Sequence, residues 1–338
     1  MVNKMKKIIY LIYVLILCFF VISCNISPDE DDNDGVRPEP FILPKYFDSP
    51  AWHPEGTWIA ADYYDSLDTD GDGRNDDYFV GIWLVHSETG TTQPLMRGFG
   101  NPAWRPDGTQ LAMEAGGQIF TIKITSLEPV EVDTNTLFQL TFEGRNYFPD
   151  WSPNGKWIVY DSDIDDTKYD IWIMDSDGGN KKNVSGESDS LDQGGWRIPN
   201  WSPDGKYIVH ERYVSGGDSG PEIVIMDTMG QNPVYLTLNN ERSDQYPRYS
   251  PDGTRIAWYT KPRVGPPAIW VLNSDSSNLR KVSPDYAWRS DWSPDGSQLV
   301  FLYLNYENRD HPGNGELWLI NVDGSGLRQL TYFKDNSL

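Results

Sequence analysis

Short apolar stretches recur along the chain, separated by clusters of Ser, Pro, Asp, Asn and Gly. Beyond the first 24 residues no stretch repeats its apolar positions with the period of an amphipathic helix. The stretches come in sets. A short one ends at an aromatic anchor, Trp52, Trp104, Trp151, Trp201, Tyr249 or Trp292, and the anchors lie 43 to 52 residues apart. A spacing in the forties marks an array of one supersecondary unit.

Each anchor is followed by a turn. It reads SPDG at Ser202–Gly205, Ser250–Gly253 and Ser293–Gly296, SPNG at Ser152–Gly155, RPDG at Arg105–Gly108 and HPEG at His53–Gly56. Pro presets the first turn φ and Gly accepts a positive φ, so each copy predicts a hairpin. A second strand follows, as in KWIVYDS at Lys156–Ser162, and a third, as in DIWIMD at Asp170–Asp175. The fourth is shorter: QPLM at Gln93–Met96, FQLT at Phe138–Thr141, KKNVS at Lys181–Ser185. Four β-rich stretches between turn signals predict one antiparallel sheet per repeat.

The pattern P-x-W-S-P-D-G-K-x-I-x-[FYV], followed by [DE]-I-W-x-[MIL]-[DN], resembles the PD40 repeat, the WD40-like unit of TolB-like β-propellers, over nearly all of residues 46–333. The resemblance implies an all-β fold, a six-bladed β-propeller of four-stranded antiparallel blades spanning residues 41–338. TolB also has an α/β domain ahead of its propeller; this chain resembles the propeller alone. In such a ring each blade is covered on both faces by its neighbours, with the anchor aromatics and the second and third strands filling the seams. Each repeat holds four strands of its own, so closure needs no borrowed strand. The alternative is that Phe41–Phe47, FILPKYF, adds an outer strand to the last blade.

The N-terminus changes the picture of location. Lys4, Lys6 and Lys7 precede an apolar run, Ile8 to Ile22, that is short for a bilayer span. It ends in Val21–Cys24, VISC, which resembles a bacterial lipobox. Residues 1–23 are then a lipoprotein signal peptide and Cys24 carries the lipid. Residues 24–40 read as an acidic tether, with five acids between Asp29 and Asp34 and little to bury. Cys18 falls in the leader, so the body has no thiol for a disulfide, a Cys metal site or a Cys nucleophile. The chain has 28 Lys and Arg against 50 Asp and Glu. Such a surface opposes nucleic acid, which needs a basic footprint.

Two sets of residues carry candidate chemistry. Asp68–Asp77, DTDGDGRNDD, lies between the second and third strands of the first repeat. Alternating carboxylates around a Gly match the start of an EF-hand-like loop. Asp68, Asp70, Asp72 and Asp76 supply side-chain oxygens to a structural Ca²⁺ and Arg74 its carbonyl; Asp77, Asp65 or water can replace the missing final acid, since Phe79 stands at that position. The second set rings a mouth of the central channel. Four residues before the anchors stand Asp48, Gly100, Tyr147, Arg197, Gln245 and Trp288; one residue before them, Ala51, Ala103, Asp150, Asn200, Arg248 and Asp291. From these, Asp48, Tyr147, Asp150, Arg197, Asn200, Gln245, Arg248, Trp288 and Asp291 form the expected binding ring. GGDSGP at Gly216–Pro221 is a hairpin loop and not a nucleophile turn. His53, His86, His210 and His311 are scattered, and His53 simply replaces Ser in its turn.

The expected function is a non-catalytic protein-binding scaffold, tethered by lipid at the outer membrane, on its periplasmic face or at the cell surface, with an envelope or surface protein as partner. The alternative is a glycan-binding or polysaccharide-degrading propeller using Asp48, Asp150 and Asp291 with Arg197 and Arg248. No coherent catalytic cluster favours the enzyme.

Overall fold

A computed structural model describes residues 45–67, 77–165, 168–185, 195–213, 220–238, 242–304 and 315–333. These belong to one compact unit, Leu43–Leu338. The described residues form 24 strands and no helix. Four sheets are four-stranded and antiparallel, one for each of the second to fifth repeats. The first and sixth repeats share one eight-stranded sheet. Among the described residues one parallel pair, Tyr46 opposite Gly315, joins its halves. Tyr46–Trp52 is the first strand of the first repeat and pairs antiparallel with Trp58–Leu67. Tyr46 thus meets the outer edge of the last sheet at Gly315, while Tyr46 and Phe47 also begin the inner strand of the first sheet. The Lys45 carbonyl accepts the Gly315 N–H at 3.2 Å, and residues 41–44 lie outside the described residues.

Strand alternation explains the continuous apolar runs. Successive side chains face opposite sides of a sheet. Ile59 and Ala61 join Val300, Leu317 and Leu319 of the sixth repeat, whereas Trp58 and Ala60 join Trp104 and Leu111 of the second. The same sharing recurs at every seam. The remaining clusters join the second repeat to the third, the third to the fourth, the fourth to the fifth and the fifth to the sixth. Among the described residues each sheet thus buries apolar side chains on both faces, while the fourth strands stay largely exposed.

The fourth strands are only two residues long in the third to sixth repeats, Lys182–Asn183, Val234–Tyr235, Arg280–Lys281 and Arg328–Gln329. A hydroxyl just beyond each takes over the ladder. Ser185, Thr237, Ser283 and Thr331 accept the N–H of Ile171, Ile223, Ile269 and Leu317 at 2.8–3.0 Å. In three repeats the hydroxyl in turn donates to the acid that opens the third strand, Asp170, Glu222 or Glu316. That is the physical content of the [DE]-I-W motif. The second repeat departs from expectation: its fourth strand is Val130–Gln139, far longer than Phe138–Thr141, because it pairs along an extended Gln118–Leu127.

The turns also cross-link neighbours. His53 does more than replace Ser: its Nε2 lies 3.2 Å from the carbonyl oxygen of Gly108, and its ring meets Trp104 edge-on. A Cβ on Gly108 would stand 2.5 Å from that nitrogen, at a φ of +70°. Arg255 Nη2 likewise donates to the Gly296 carbonyl at 3.0 Å.

The residue before the anchor stitches the inner strands. Asp150 Oδ2 accepts the N–H of Trp201 at 2.8 Å, Asn200 Oδ1 that of Tyr249 at 2.9 Å, and Asp291 Oδ2 that of Trp52 at 2.7 Å. The last of these bonds ties the sixth repeat to the first across 239 residues. Asp291→Ala strands a part-buried N–H at that seam and is expected to destabilise the chain by about 1–3 kcal/mol. Urea unfolding of Asp291→Ala and Asp291→Asn checks this: the Asn variant, which keeps an acceptor, recovers most of the loss, and equal loss in both refutes the assignment.

Candidate functional site

The inner strands share a backbone irregularity. Each pairs regularly with its neighbour, slips register near its middle, and resumes; the breaks lie between Asp48 and Ala51, Gly100 and Ala103, Arg197 and Asn200, and Gln245 and Arg248, with equivalents in the other two repeats. At each break one residue has a left-handed φ: Ser49 at 45°, Asn101 at 51°, Phe148 at 51°, Ile198 at 54°, Tyr246 at 55° and Arg289 at 32°. These are β-bulges. Holding a non-Gly residue there costs about 1–3 kcal/mol and is tolerated where surrounding structure imposes it, often at functional sites. Pro follows the left-handed residue in five of the six repeats, and Ser290 in the sixth.

The next sheet's bulge is held by a buried acid on the second strand. Asp62 Oδ1 accepts the N–H of Asn101 at 2.8 Å, Asp161 Oδ2 that of Ile198 at 3.2 Å and Glu211 Oε1 that of Tyr246 at 2.7 Å. Gly100 makes the first of these fit: a Cβ there would lie 3.2 Å from the Asp62 carboxylate.

Five of the six bulge residues, Ser49, Asn101, Phe148, Tyr246 and Arg289, line one small pocket that opens to solvent; Arg248 and Ser290 complete its wall with prolines. Its side chains are linked. Arg289 pairs with Asp48 at 2.5 Å and donates to Ser49 Oγ at 2.8 Å, and Ser49 Oγ donates to Asn101 Oδ1 at 3.2 Å. The Arg289 guanidinium lies 4.2 Å over the Tyr246 ring, which meets Phe148 edge-on at 5.7 Å. Arg197 lies 4.4 Å over Tyr169 and 3.3 Å from Asp161.

The expected binding residues thus divide. Asp48 is paired with Arg289. Tyr147 packs against Tyr169 and Phe148. Gln245 bonds Tyr259 and Ser243, and Trp288 packs on Tyr259. Arg197 flanks the pocket and Arg248 lines it. Asp150, Asn200 and Asp291 have oxygens engaged between sheets. The bulge residues themselves carry no shared side-chain signal in the sequence, although a Pro two positions before the anchor marks five of them. For the loop ligands, Asp68, Asp70, Asp72, Arg74 and Asp76 lie outside the described residues; Asp77 opens the third strand opposite Leu67. Cys24, the leader, the tether, His311 and residues 216–219 of the GGDSGP stretch also lie outside.

Burial raises the carboxyl pKa of Asp62, Asp150, Asp161 and Glu211. Asp161 is pushed up to about 7 and Glu211 to about 8, with Arg197 pulling back on both. Asp150 rises to about 6 by burial, against the pull of Arg248, and Asp62 rises well above its usual value.

No family model matches the chain. An uncharacterized protein of Agrobacterium fabrum is 28% identical over 239 residues, 69% of this chain and 75% of that protein. A TolB homolog of Chlorobaculum tepidum is 34% identical over 35% of this chain, a match that spans only 26% of the relative's length. Among solved structures, a TolB candidate from Agrobacterium tumefaciens superposes with a TM-score of 0.57 at 24% identity, covering 71% of this chain and 84% of that one. The fold is that of a TolB-like β-propeller. An oligogalacturonate lyase solved with manganese also superposes on this TolB-like propeller, with a TM-score of 0.55 at 15% identity over 87% of this chain and 78% of the lyase, a likeness of fold.

The raised acids set a pH dependence. An acid whose pKa is higher folded than unfolded keeps its proton longer in the folded state, so unfolding releases protons between the two values. The stability contributed by Asp161 and Glu211 is full below about pH 4 and is lost as pH rises toward 8. The urea midpoint is expected to fall between about pH 5 and pH 8.5, and Asp161→Asn with Glu211→Gln to flatten that fall. An unchanged slope refutes it.

Proposed function

We propose that the chain is a lipid-anchored envelope or cell-surface protein whose six four-stranded groups act as the six blades of a non-catalytic protein-binding propeller. The leader, Cys24 and the acidic tether support anchoring at the outer membrane, on its periplasmic face or at the surface. The observation that carries the binding reading is the direction in which the hub's chemistry points. Asp161 and Glu211, the acids with the most suitable pKa for proton transfer, are 0% and 2% exposed and already accept backbone N–H groups. The half-exposed groups nearer solvent are Arg and aromatic, the types that dominate protein-binding hot spots. Similarity to TolB proteins supports an envelope protein as the partner.

The alternative is a glycan-binding or polysaccharide-degrading propeller. It is favoured by the Arg197–Tyr169 stack, which would suit a sugar face, and by the shared fold of the lyase. A pull-down from detergent-solubilised membranes separates the two. A stoichiometric protein partner, lost in a Tyr169→Ala, Arg197→Ala double variant, is the expected result. Turnover of a polysaccharide with no protein retained overturns it.

A Ca²⁺ ion held by Asp68, Asp70, Asp72 and Asp76 would neutralise the loop between strands paired at Leu67 and Asp77. Added calcium should raise the melting temperature of the wild type and leave Asp70→Ala unchanged; equal shifts in both reject the loop as the site.

A further inference from the structure

The wall of the hub pocket carries two guanidinium groups and no carboxylate. Arg289 is paired with Asp48. Arg248, one sheet away, has no ion pair among the described residues; its Nη1 donates to the carbonyl of Pro247 at 3.2 Å. A guanidinium has five N–H donors in a planar fork, so most of those on Arg248 remain for a ligand. Asp150 and Asp291 are near enough to interact with its charge. Their Oδ2 atoms, however, accept the N–H groups of Trp201 and Trp52 behind the wall. Beside the two arginines, Ser290 is 4% exposed and its hydroxyl has no hydrogen-bond partner. A buried hydroxyl without a partner is an unfavourable arrangement that an oxygen atom in the pocket relieves.

The rest of the wall narrows the choice of ligand. Pro50, Pro102 and Pro149 contribute no N–H, so donors come from side chains. Phe148 and Tyr246 add apolar flanks. Ser49 and Asn101 are already bonded to each other, which leaves little to recognise the hydroxyls of a sugar. A phosphate dianion would bring a second charge toward Asp48, Asp150 and Asp291. A single planar carboxylate matches the guanidinium fork.

We propose that this pocket receives a carboxylate presented by a protein partner, an acidic side chain or a chain terminus, held between Arg248 and Arg289 with the Ser290 hydroxyl donating to it. This rests on the protein-binding reading and names the chemistry the partner brings.

Calorimetric titration of the full chain in detergent tests it. The probes are a Gly-Ser hexapeptide ending in a free glutamate, the same peptide as its glutamine amide, and galacturonate. The free-acid peptide should bind at least tenfold more tightly than the amide. Arg248→Gln and Ser290→Ala should each weaken it, the former about tenfold or more, while thermal unfolding reports whether either variant is folded; Ser290→Ala removes one hydroxyl and keeps the test open if Arg248→Gln is unstable. Equal affinity for acid and amide, no saturable binding of the acid, or binding unchanged in the folded variants overturns the site. Tighter binding of galacturonate overturns the peptide assignment. Capture of the same partner by Arg248→Gln as by wild type in the pull-down overturns this site while leaving the scaffold reading intact.

Discussion

No sheet in this protein owns a core. Ile59 and Ala61 face one neighbour and Trp58 and Ala60 the other, so each sheet is dry only if both neighbours are in place. That constraint leaves an array with one stable arrangement, in which the first repeat covers the last. Most of the polar detail serves the same end. Among the described residues one β-pair, Tyr46 with Gly315, joins the halves, and the apolar cluster around Phe47, Trp52 and Leu317 fills the seam between them. Directed bonds such as Asp291 to Trp52, and Arg328 to the Ser87 carbonyl on the outside, complete it.

The repeat motif can now be read residue by residue. The Ser of SPDG accepts the N–H five residues on and donates to the turn Asp, as Ser202 does with Tyr207 and Asp204. The acid of [DE]-I-W bonds the terminal hydroxyl of the fourth strand. Pro before the anchor follows the bulge. Each position is repeated because the same seam is built again, so repetition by itself marks structure.

That is why the fold was legible in the sequence and the hub was only partly so. Alternation, turn chemistry and anchor spacing are local signals, and they placed nearly every strand. The exceptions, the long Val130–Gln139 and the inner position of Tyr46 and Phe47, depend on which strand lies alongside. The hub residues are defined by backbone angle, which composition does not show: Ser, Asn, Phe, Ile, Tyr and Arg share no chemistry. Counting from the anchors picks out Arg197 and Arg248, which lie at or beside the pocket, together with Asp150, Asn200 and Asp291, which bond to backbone one sheet away and some 50 residues or more along the chain. A polar residue next to a repeat anchor looks the same in sequence whether it faces a ligand or a neighbouring backbone.

The bulge has one further implication. Since the twist of the main chain, and not the identity of the side chain, is the common device at the six inner posts, the posts act as interchangeable sockets. A substituent at such a post can change while the backbone bond that holds its bulge, as from Asp62 to Asn101, stays in place. The frame is thus set by the main chain, and the lining of its opening by whichever substituents the posts carry.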